Sequence, residues 1–225
     1  MGKNKIARFE ENLTFPNLFQ RTFEDLQQNG FELKGHWHQD FFKNSNPITL
    51  ELGCGKGEYT VGLAKEYPNR NFIGMDIKGA RLWRGCKTSN EEKMGNVAFI
   101  RTHIQHIQHF YAPNEVDEIW VTFPDPQLRS CKAQKRLTSQ YFLSLYKNIL
   151  KKDGIIHLKT DSKELYDFTL EVIAEDKHRL LFASDDVYNS GVEEAVTRIQ
   201  TFYESMFTAM GKKITYIRFQ LNPEL

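Results

Sequence analysis

Short apolar runs, each bounded by Gly, Asp or Pro, alternate along the chain with segments whose apolar residues follow helical spacing. The apolar runs predict strands at 48–53, 71–77, 97–102, 117–123 and 154–161. The segments between them predict helices at 59–67, 80–92, 139–150 and 163–174. This alternation indicates an α/β fold in which helices cover both faces of a mostly parallel sheet.

The pattern changes in the last third of the chain. Segments 179–183 and 214–221 predict two strands, which are separated by a loop and by one helix at 202–210. A terminal pair of this kind commonly makes an antiparallel edge. We therefore expect antiparallel strands at the C-terminal edge of the sheet.

Chain length and the even alternation of elements predict one domain, at 47–225, within the 225 residues. Residues 1–46 precede it, and their apolar residues could either cover one side of the sheet or form a mobile arm. These residues are Phe9, Leu13, Phe15, Phe19, Phe23, Trp37, Phe41 and Phe42.

The net charge of only +1 carries little information about partners, so any nucleic-acid function must rest on local segments. Segment 126–152 contains seven Lys or Arg and no Asp or Glu. Its cations Lys132, Lys135 and Arg136 are the candidate RNA contacts.

The cysteines Cys54, Cys86 and Cys131 are odd in number and widely spaced, which favours free thiols in a reducing compartment over a disulfide or zinc framework. The N-terminus has no apolar signal core, and no segment approaches the roughly 20 apolar residues of a membrane span. These features predict a cytoplasmic protein.

A glycine-rich turn, with Gly53, Gly55 and Gly57, joins the first predicted strand of the domain to its first helix. Such a turn lets backbone approach a ligand at a helix N-terminus, although tight strand-to-helix packing would also require glycine. Asp76 ends the next strand, at the distance where an acid meets a ribose diol. The spacing predicts a nucleotide cofactor of the NAD or the S-adenosylmethionine type.

Glu51 favours one of these two cofactors. It lies in a strand with apolar Leu50 and Leu52 beside it, and a buried acid is costly unless a cation or a hydrogen-bond donor meets it. The pyrophosphate of NAD would be repelled there, whereas the ammonium and sulfonium of S-adenosylmethionine would be attracted. Glu51 therefore favours a methyltransferase over a nicotinamide oxidoreductase.

The sequence Phe123-Pro-Asp125-Pro follows the apolar run that ends at Val121. Because proline cannot continue a sheet ladder, the two prolines stop the strand and hold Asp125 at its carboxyl end. Ligands of open α/β sheets bind at that edge. A fixed carboxylate beside a basic, acid-free segment predicts chemistry on a polyanion.

These features together resemble the bacterial tRNA (guanine-N7)-methyltransferases, from about residue 48 to the C-terminus. The resemblance rests on motifs that occur in one order along the chain: Glu51-x-Gly-x-Gly-x-Gly57, Gly74-Met-Asp76-Ile, Phe123-Pro-Asp125-Pro, Thr160-Asp161, and Thr201-Phe-Tyr-Glu204 with Ala209-Met-Gly211. It implies a class I S-adenosylmethionine-dependent methyltransferase fold and activity on guanine N7 in the variable loop of tRNA.

The resemblance also implies roles for individual residues. Cofactor-binding residues would be Glu51, Gly53, Gly55, Gly57, Asp76, Ile104 and Asp125, and Asp125 would also be the catalytic residue, near the transferred methyl group. Substrate-binding residues would be Arg129, Asp161, Thr201, Phe202, Tyr203 and Glu204.

Two positions depart from the family pattern. Ile104 stands where the family usually has an acid or amide near the adenine, and a backbone N–H could serve there instead. Gln127-Leu128-Arg129 replaces the usual Trp-His-Lys, which keeps a cation and loses an aromatic ring.

Several of these residues also have a purely structural interpretation. Thr201 and Glu204 form a capping-box pattern, Asp161 could cap the helix that begins near Ser162, and Asp125 could brace the proline turn. The His103, His106 and His109 series would spread over a broad arc of a helix, so we expect solvated histidines and no metal.

Two alternative functions remain open at this level. A methyltransferase for a small molecule or a protein would have the same fold, and its basic loop would be a solvated surface. A noncatalytic RNA-binding module would keep the glycine turn for structure alone. The sequence does not decide between a monomer and a homodimer.

Overall fold

The computed structural model describes residues 3–192 and 194–224, so the first two residues of the predicted N-terminal arm lie outside it. The chain divides into two compact units, one within Met1–Ala112 and the other within Pro113–Leu225. Each unit contains four of the strands.

The first unit has a parallel sheet in the order β1-β4-β3-β2. Its strands are β1 (Leu18–Gln20), β2 (Ile48–Leu52), β3 (Asn71–Asp76) and β4 (Val97–Arg101). Every residue of β2 and β3 is buried, as expected for parallel strands covered on both faces. The predictions for β2, β3 and β4 are confirmed, whereas β1 was not predicted because three residues give no measurable periodicity.

Helices and turns connect these strands. They are α1 (Lys3–Asn12), α2 (Phe23–Asn29), a π-helical turn (Trp37–Phe42), α3 (Glu58–Glu66), α4 (Gly79–Glu91) and a 3₁₀ helix (Ile104–His109). Trp37 is fully buried and packs edge-on to Phe19, and its indole N–H donates to the Phe110 carbonyl at 3.0 Å. Aromatic residues of the N-terminal segment therefore pack into the core of this unit.

The second unit has its strands in the order β5-β6-β8-β7. They are β5 (Val116–Thr122), β6 (Leu150–Thr160), β7 (Arg179–Ser184) and β8 (Thr215–Gln220). β5 and β6 are parallel, and β8 is antiparallel to both β6 and β7. The predicted antiparallel C-terminal edge is confirmed.

β6 begins at Leu150, four residues before the predicted strand. Leu150 pairs with Val116, and the register with β5 then shifts before Ile155 pairs with Glu118. The intervening residues 151–154 resemble a turn in sequence, but they belong to an irregularity within the strand. The preceding helix accordingly ends earlier than predicted, at Lys147.

The helices of the second unit are α5 (Gln140–Lys147), α6 (Lys163–Glu175), α7 (Glu194–Arg198) and α8 (Phe202–Ala209), with short 3₁₀ segments at Ser130–Lys135 and Val187–Asn189. The predictions for α6 and α8 are confirmed, and that for α5 is confirmed except at its C-terminal end. α7 was not predicted, since five residues are too few for a helical period. Among the described residues no helix is both long and apolar enough to cross a membrane.

Candidate active site

The glycine turn between β2 and α3 is tied to the end of β3. The backbone N–H groups of Gly53 and Cys54 both donate to the Met75 carbonyl, at 2.8 and 3.1 Å. Gly55 has φ of +57°, in the left-handed region that favours glycine, and a Cβ there would meet no atom within 4 Å. The turn is therefore open at Gly55.

Gly57 has a different role from Gly55. A Cβ at Gly57 would lie 2.6 Å from the Phe99 ring, so glycine is needed there for helix-to-sheet packing. Both interpretations of the glycine turn thus apply, each to a different glycine.

Asp76 lies at the carboxyl end of β3 and faces this turn. One carboxylate oxygen accepts from the Gly55 N–H at 2.9 Å, and the other accepts from the Lys78 N–H at 2.7 Å. A carboxylate has about four lone-pair sites, so these two bonds leave capacity for further donors such as ribose hydroxyls. The predicted acid is held beside the open turn.

Glu51 is almost fully buried, with 3% exposure, and its donors belong to the protein. One carboxylate oxygen accepts from the Thr60 N–H at 2.7 Å and from the Thr60 hydroxyl. Thr60 lies in the first turn of α3, where backbone N–H groups lack helical partners and the helix dipole favours an anion. The expectation that a buried Glu51 needs a donor is met locally, so Glu51 by itself does not discriminate between cofactors.

Ile104 begins the 3₁₀ helix at Ile104–His109, and its side chain is half-buried. Backbone N–H groups in a first helical turn have no partner within the helix. A backbone donor is therefore available in principle at this position, as the sequence interpretation requires.

His106 and His109 in this helix, and His103 just before it, do not converge. His106 stacks on Phe23 at 4.4 Å between ring centroids, and His103 lies 5.9 Å from His106. Burial and the two neighbouring histidines lower the pKa of His106. No cluster of His, Cys, Asp or Glu with a metal-binding arrangement occurs in the described part of the chain. The absence of a metal stays a prediction.

The Phe123-Pro-Asp125-Pro turn follows β5 and presents an exposed carboxylate. One oxygen of Asp125 accepts from the Gln127 N–H at 3.0 Å, whereas the other has no hydrogen-bond partner among the described residues. Phe123 and Gln127 both have positive φ, at 46° and 47°. Asp125 thus braces a strained turn with one oxygen and exposes the other.

The cations that follow this turn separate into two groups. Arg129, Lys132 and Lys135 are exposed. Arg136 has only 9% exposure, its guanidinium donates to the Pro126 and Gln127 carbonyls at 3.1 and 3.4 Å, and it lies 4.4 Å over the Phe168 ring. We expected Arg136 to contact RNA from an exposed position. Its donors instead stabilise the turn and do not point to solvent.

Asp161, at the carboxyl end of β6, pairs with Lys212 at 2.7 Å. The Lys212 ammonium also lies 4.5 Å over the ring of Phe207 in α8, and Phe207 is 6.1 Å from the Phe123 ring. These contacts bring the Pro-Asp-Pro turn, Asp161 and α8 together. Ser162 caps α6 by accepting from the Leu165 N–H, so the capping interpretation of Asp161 is wrong.

Thr201 caps α8 by accepting from the Glu204 N–H at 3.1 Å, but the reciprocal half of the capping box is absent. The Glu204 side chain is fully buried and pairs instead with Lys159 at 2.6 Å, and it accepts from the Tyr188 hydroxyl at 2.7 Å. Glu204 Oε2 is buried without a partner. Phe202 and Tyr203, between these two residues, are 55% and 42% exposed.

Lys159, Tyr188 and Lys212 were not identified from the sequence. Lys159 carried a detectable signal, since a lysine in the apolar run 155–160 of a central strand requires a buried acceptor. No pattern could reveal Tyr188 or Lys212, because their partners are distant in the sequence.

The fold and the matches to known proteins define the class. A family model described as "Putative methyltransferase" matches residues 45–217. Two solved structures share the fold: the 16S rRNA methyltransferase KamB, with a TM-score of 0.64 and 14% identity over 87% of this chain and 96% of that one, and an antibiotic-related methyltransferase, with a TM-score of 0.62 and 17% identity over 84% and 94%. The protein is a class I S-adenosylmethionine-dependent methyltransferase.

Curated relatives define the particular family. The tRNA (guanine-N(7)-)-methyltransferase of Christiangramia forsetii is 56% identical over 98% of this chain and 99% of its own length. The protein of the same name from Bacteroides thetaiotaomicron is 46% identical over 100% of this chain and 88% of its own. The chain belongs to the tRNA (guanine-N7)-methyltransferase family, as the sequence resemblance indicated.

Proposed function

We propose that this protein transfers a methyl group from S-adenosylmethionine to N7 of a guanine in the variable loop of tRNA. The observation that carries the proposal is the grouping of the Pro-Asp-Pro turn, Asp161 and α8 through Phe123, Phe207 and Lys212. It gathers segments far apart in the sequence around an exposed carboxylate, next to a loop of exposed cations.

The residues of the first unit fit the cofactor. S-adenosylmethionine, when bound, supplies an electrophilic methyl group on a sulfonium. We assign its binding to the glycine turn, with Gly53 and Gly55 near the ligand and Gly57 setting the helix packing, to Asp76 for the ribose, to Glu51, and to the Ile104 N–H for the adenine. The open space at Gly55 and the spare capacity of the Asp76 carboxylate support this assignment.

The chemistry of guanine N7 determines what the protein must do. N7 has a free lone pair, so no general base is needed, and positive charge moves to the purine as the bond forms. A fixed carboxylate stabilises that charge better than a neutral group. We assign this role to Asp125, whose second oxygen could also accept from the guanine N1–H and exocyclic amine.

Residues around Asp125 would hold the nucleotide. The exposed rings of Phe202 and Tyr203 suit stacking on bases, which typically contributes about 1–3 kcal/mol per base. Asp161 and Glu204 are acceptors already paired with Lys212 and Lys159, so a guanine edge would have to compete with those ammonium groups. Thr201 contributes by capping α8.

The exposed Lys132, Lys135 and Arg129 suit the tRNA backbone, because phosphate contacts give affinity without base choice. We also retain two broader proposals. Residues 47–225 form the methyltransferase domain behind an N-terminal cover segment at 1–46, and the protein acts in the cytoplasm, where its three unpaired cysteines stay reduced.

Incubating the protein with labelled S-adenosylmethionine and bulk tRNA, followed by nucleoside analysis, tests the proposal. We expect 7-methylguanosine in the variable loop and none in a transcript whose variable-loop guanine is replaced by adenine. Label in another nucleoside would overturn the proposed position. Label in protein or a small molecule but not in tRNA would favour the small-molecule or protein alternative, and calorimetry without stoichiometric cofactor heat would favour a noncatalytic module.

A further inference from the structure

Lys159 is a fully buried lysine in β6 whose ammonium has three acceptors in one segment of the chain. It pairs with Glu204 at 2.6 Å, and it donates to the carbonyls of Val196 and of Ile199, the latter at 3.4 Å. A lysine ammonium has three N–H donors. All three of these acceptors lie within residues 196–204.

The same residue also holds the Pro-Asp-Pro turn through its backbone. The Phe123 N–H donates to the Lys159 carbonyl at 2.8 Å, and Lys159 pairs in register with Thr122 at the end of β5. One residue is therefore bonded to both segments that carry the proposed substrate contacts: its carbonyl to the turn that presents Asp125, and its side chain to the segment that presents Phe202 and Tyr203.

Stability alone is a poor explanation for such a lysine. Burial lowers the pKa of Lys159 while Glu204 opposes that shift, so burying the ammonium carries a desolvation cost. Replacing a buried ion pair with apolar residues of similar size is often neutral or stabilising. What an apolar pair would lack is the directed bonds from one ammonium to two backbone carbonyls and a carboxylate.

We propose that Lys159 is a positioning residue for the substrate nucleotide: its ammonium fixes residues 196–204 so that Phe202 and Tyr203 face the RNA beside the Asp125 turn. This inference rests on the proposed function. The parent protein must therefore first methylate tRNA in the assay, and if it does not, the proposed function has failed and not this inference.

A double-mutant cycle separates positioning from simple charge neutralisation. We compare Lys159→Met, Glu204→Gln and the double variant, measuring KM and kcat with tRNA, calorimetric affinity for S-adenosylmethionine and melting temperature. Since Glu204→Gln already removes the carboxylate, adding Lys159→Met tests the bonds to the Val196 and Ile199 carbonyls. Losing these charge-assisted bonds should raise the KM for tRNA about tenfold beyond that of Glu204→Gln alone.

The cofactor affinity of all variants should stay within about twofold of the parent, because the partners of Lys159 and Glu204 named above are not among the residues assigned to the cofactor. Lys163→Met is the matched control: it removes an exposed lysine that pairs with Asp167 on α6, and it should change neither KM nor kcat. If Lys159→Met alone fails to fold, the double variant still provides the comparison, since it buries no unpaired charge.

Equal KM for tRNA in the double variant and in Glu204→Gln would overturn the proposal, because Lys159 would then only neutralise Glu204. A lower melting temperature with unchanged KM would overturn it as well. Lys159→Arg keeps a cation with several donors. If directed bonds are the cause, its KM for tRNA should be closer to the parent value than that of Lys159→Met.

Discussion

Two regions of this protein each bury a glutamate, and they do so by different means. Near the glycine turn, Glu51 is met by the N–H and hydroxyl of Thr60, nine residues along the chain, at a helix N-terminus. Near α8, Glu204 is met by Lys159, which lies in β6, and by Tyr188. The first carboxylate uses backbone and side-chain donors of the local strand-turn-helix unit, whereas the second needs a lysine from a distant strand.

The comparison separates a site that forms locally from one that forms only with the complete tertiary structure. Around the glycine turn the local backbone sets the positions of Glu51 and Asp76. Around α8 the contacts that matter, Lys159 with Glu204 and Lys212 with Asp161, span 45 and 51 residues. We therefore expect a substitution in the second region to destabilise the protein more than an equivalent substitution in the first.

The largest expected effect comes from removing the charge of Glu204. Glu204→Gln leaves Lys159 buried without its counter-ion and should cost about 3 kcal/mol in the free energy of unfolding, measured with urea. Glu51→Gln, the matched control, keeps hydrogen-bonding atoms beside neutral donors and should cost about 1 kcal/mol. Equal losses would contradict the comparison.

The cost of Glu204→Gln should also depend on pH in a defined direction. Burial lowers the pKa of Lys159, and Glu204, which raises it, is absent from the variant. The unfolded chain then binds a proton that the folded one does not, so stability rises with pH from the lowered pKa up to the ordinary lysine value of about 10.4. The deficit relative to the parent should shrink in alkaline buffer.

Asp125 tests whether the second region carries the chemistry. Asp125→Asn keeps the size and one acceptor but removes the charge, so turnover should fall by roughly 10²-fold, a loss of about 2.7 kcal/mol in transition-state stabilisation. Cofactor affinity should change much less. A lowered melting temperature with turnover within about threefold of the parent would instead assign Asp125 to bracing the turn alone.

Ile104 tests the cofactor assignment in the first of the two regions. If the Ile104 backbone N–H holds the adenine, Ile104→Ala should lose only packing, within about tenfold in cofactor affinity by calorimetry. Ile104→Pro deletes the donor and should lose considerably more. Equal losses in folded protein would rule out the backbone donor.

The basic loop gives a smaller, salt-dependent effect. Replacing Lys132 and Lys135 with Ala should flatten the salt dependence of tRNA binding by about one unit of slope for each lost phosphate contact. Lys151 and Lys152 lie at the N-terminal end of β6, and replacing both with Ala provides a control with the same charge loss. If both pairs change the slope equally, the loop has no specific place in the RNA footprint.

The smallest effect is on thiol reactivity. Burial raises the pKa of Cys54, to which Glu51 and Asp76 contribute, and burial also raises the pKa of Cys86. Because the thiolate is the reactive form, a maleimide or disulfide reagent should label only the exposed Cys131 in native protein and all three in denaturant. Bound tRNA should slow labelling of Cys131, and fast native labelling of Cys54 would contradict the burial of its thiol.

The sequence predicted the elements that are long enough to show a periodic pattern and the features that have a local cause. β2, β3, β4, α6 and α8 followed from periodicity, and Thr201 was correctly identified as a helix cap. The short β1 and α7 carry too few residues for a pattern. Arg136 looked like its exposed neighbours because a basic run does not reveal which member folds back onto the Pro126 carbonyl.

The sequence by itself determined the α/β alternation, the glycine turn with Asp76 after the next strand, and the Pro-Asp-Pro turn, because each depends on residues that are close together in the chain. It also determined the family, because the motifs occur in one order along the chain. Only the tertiary structure decided that Thr60 satisfies Glu51, that Lys159 and Lys212 hold Glu204 and Asp161, and that Arg136 bonds to the Pro-Asp-Pro turn. The physical reason is that a buried charge must find a partner, and which partner reaches it depends on packing between segments far apart in the chain.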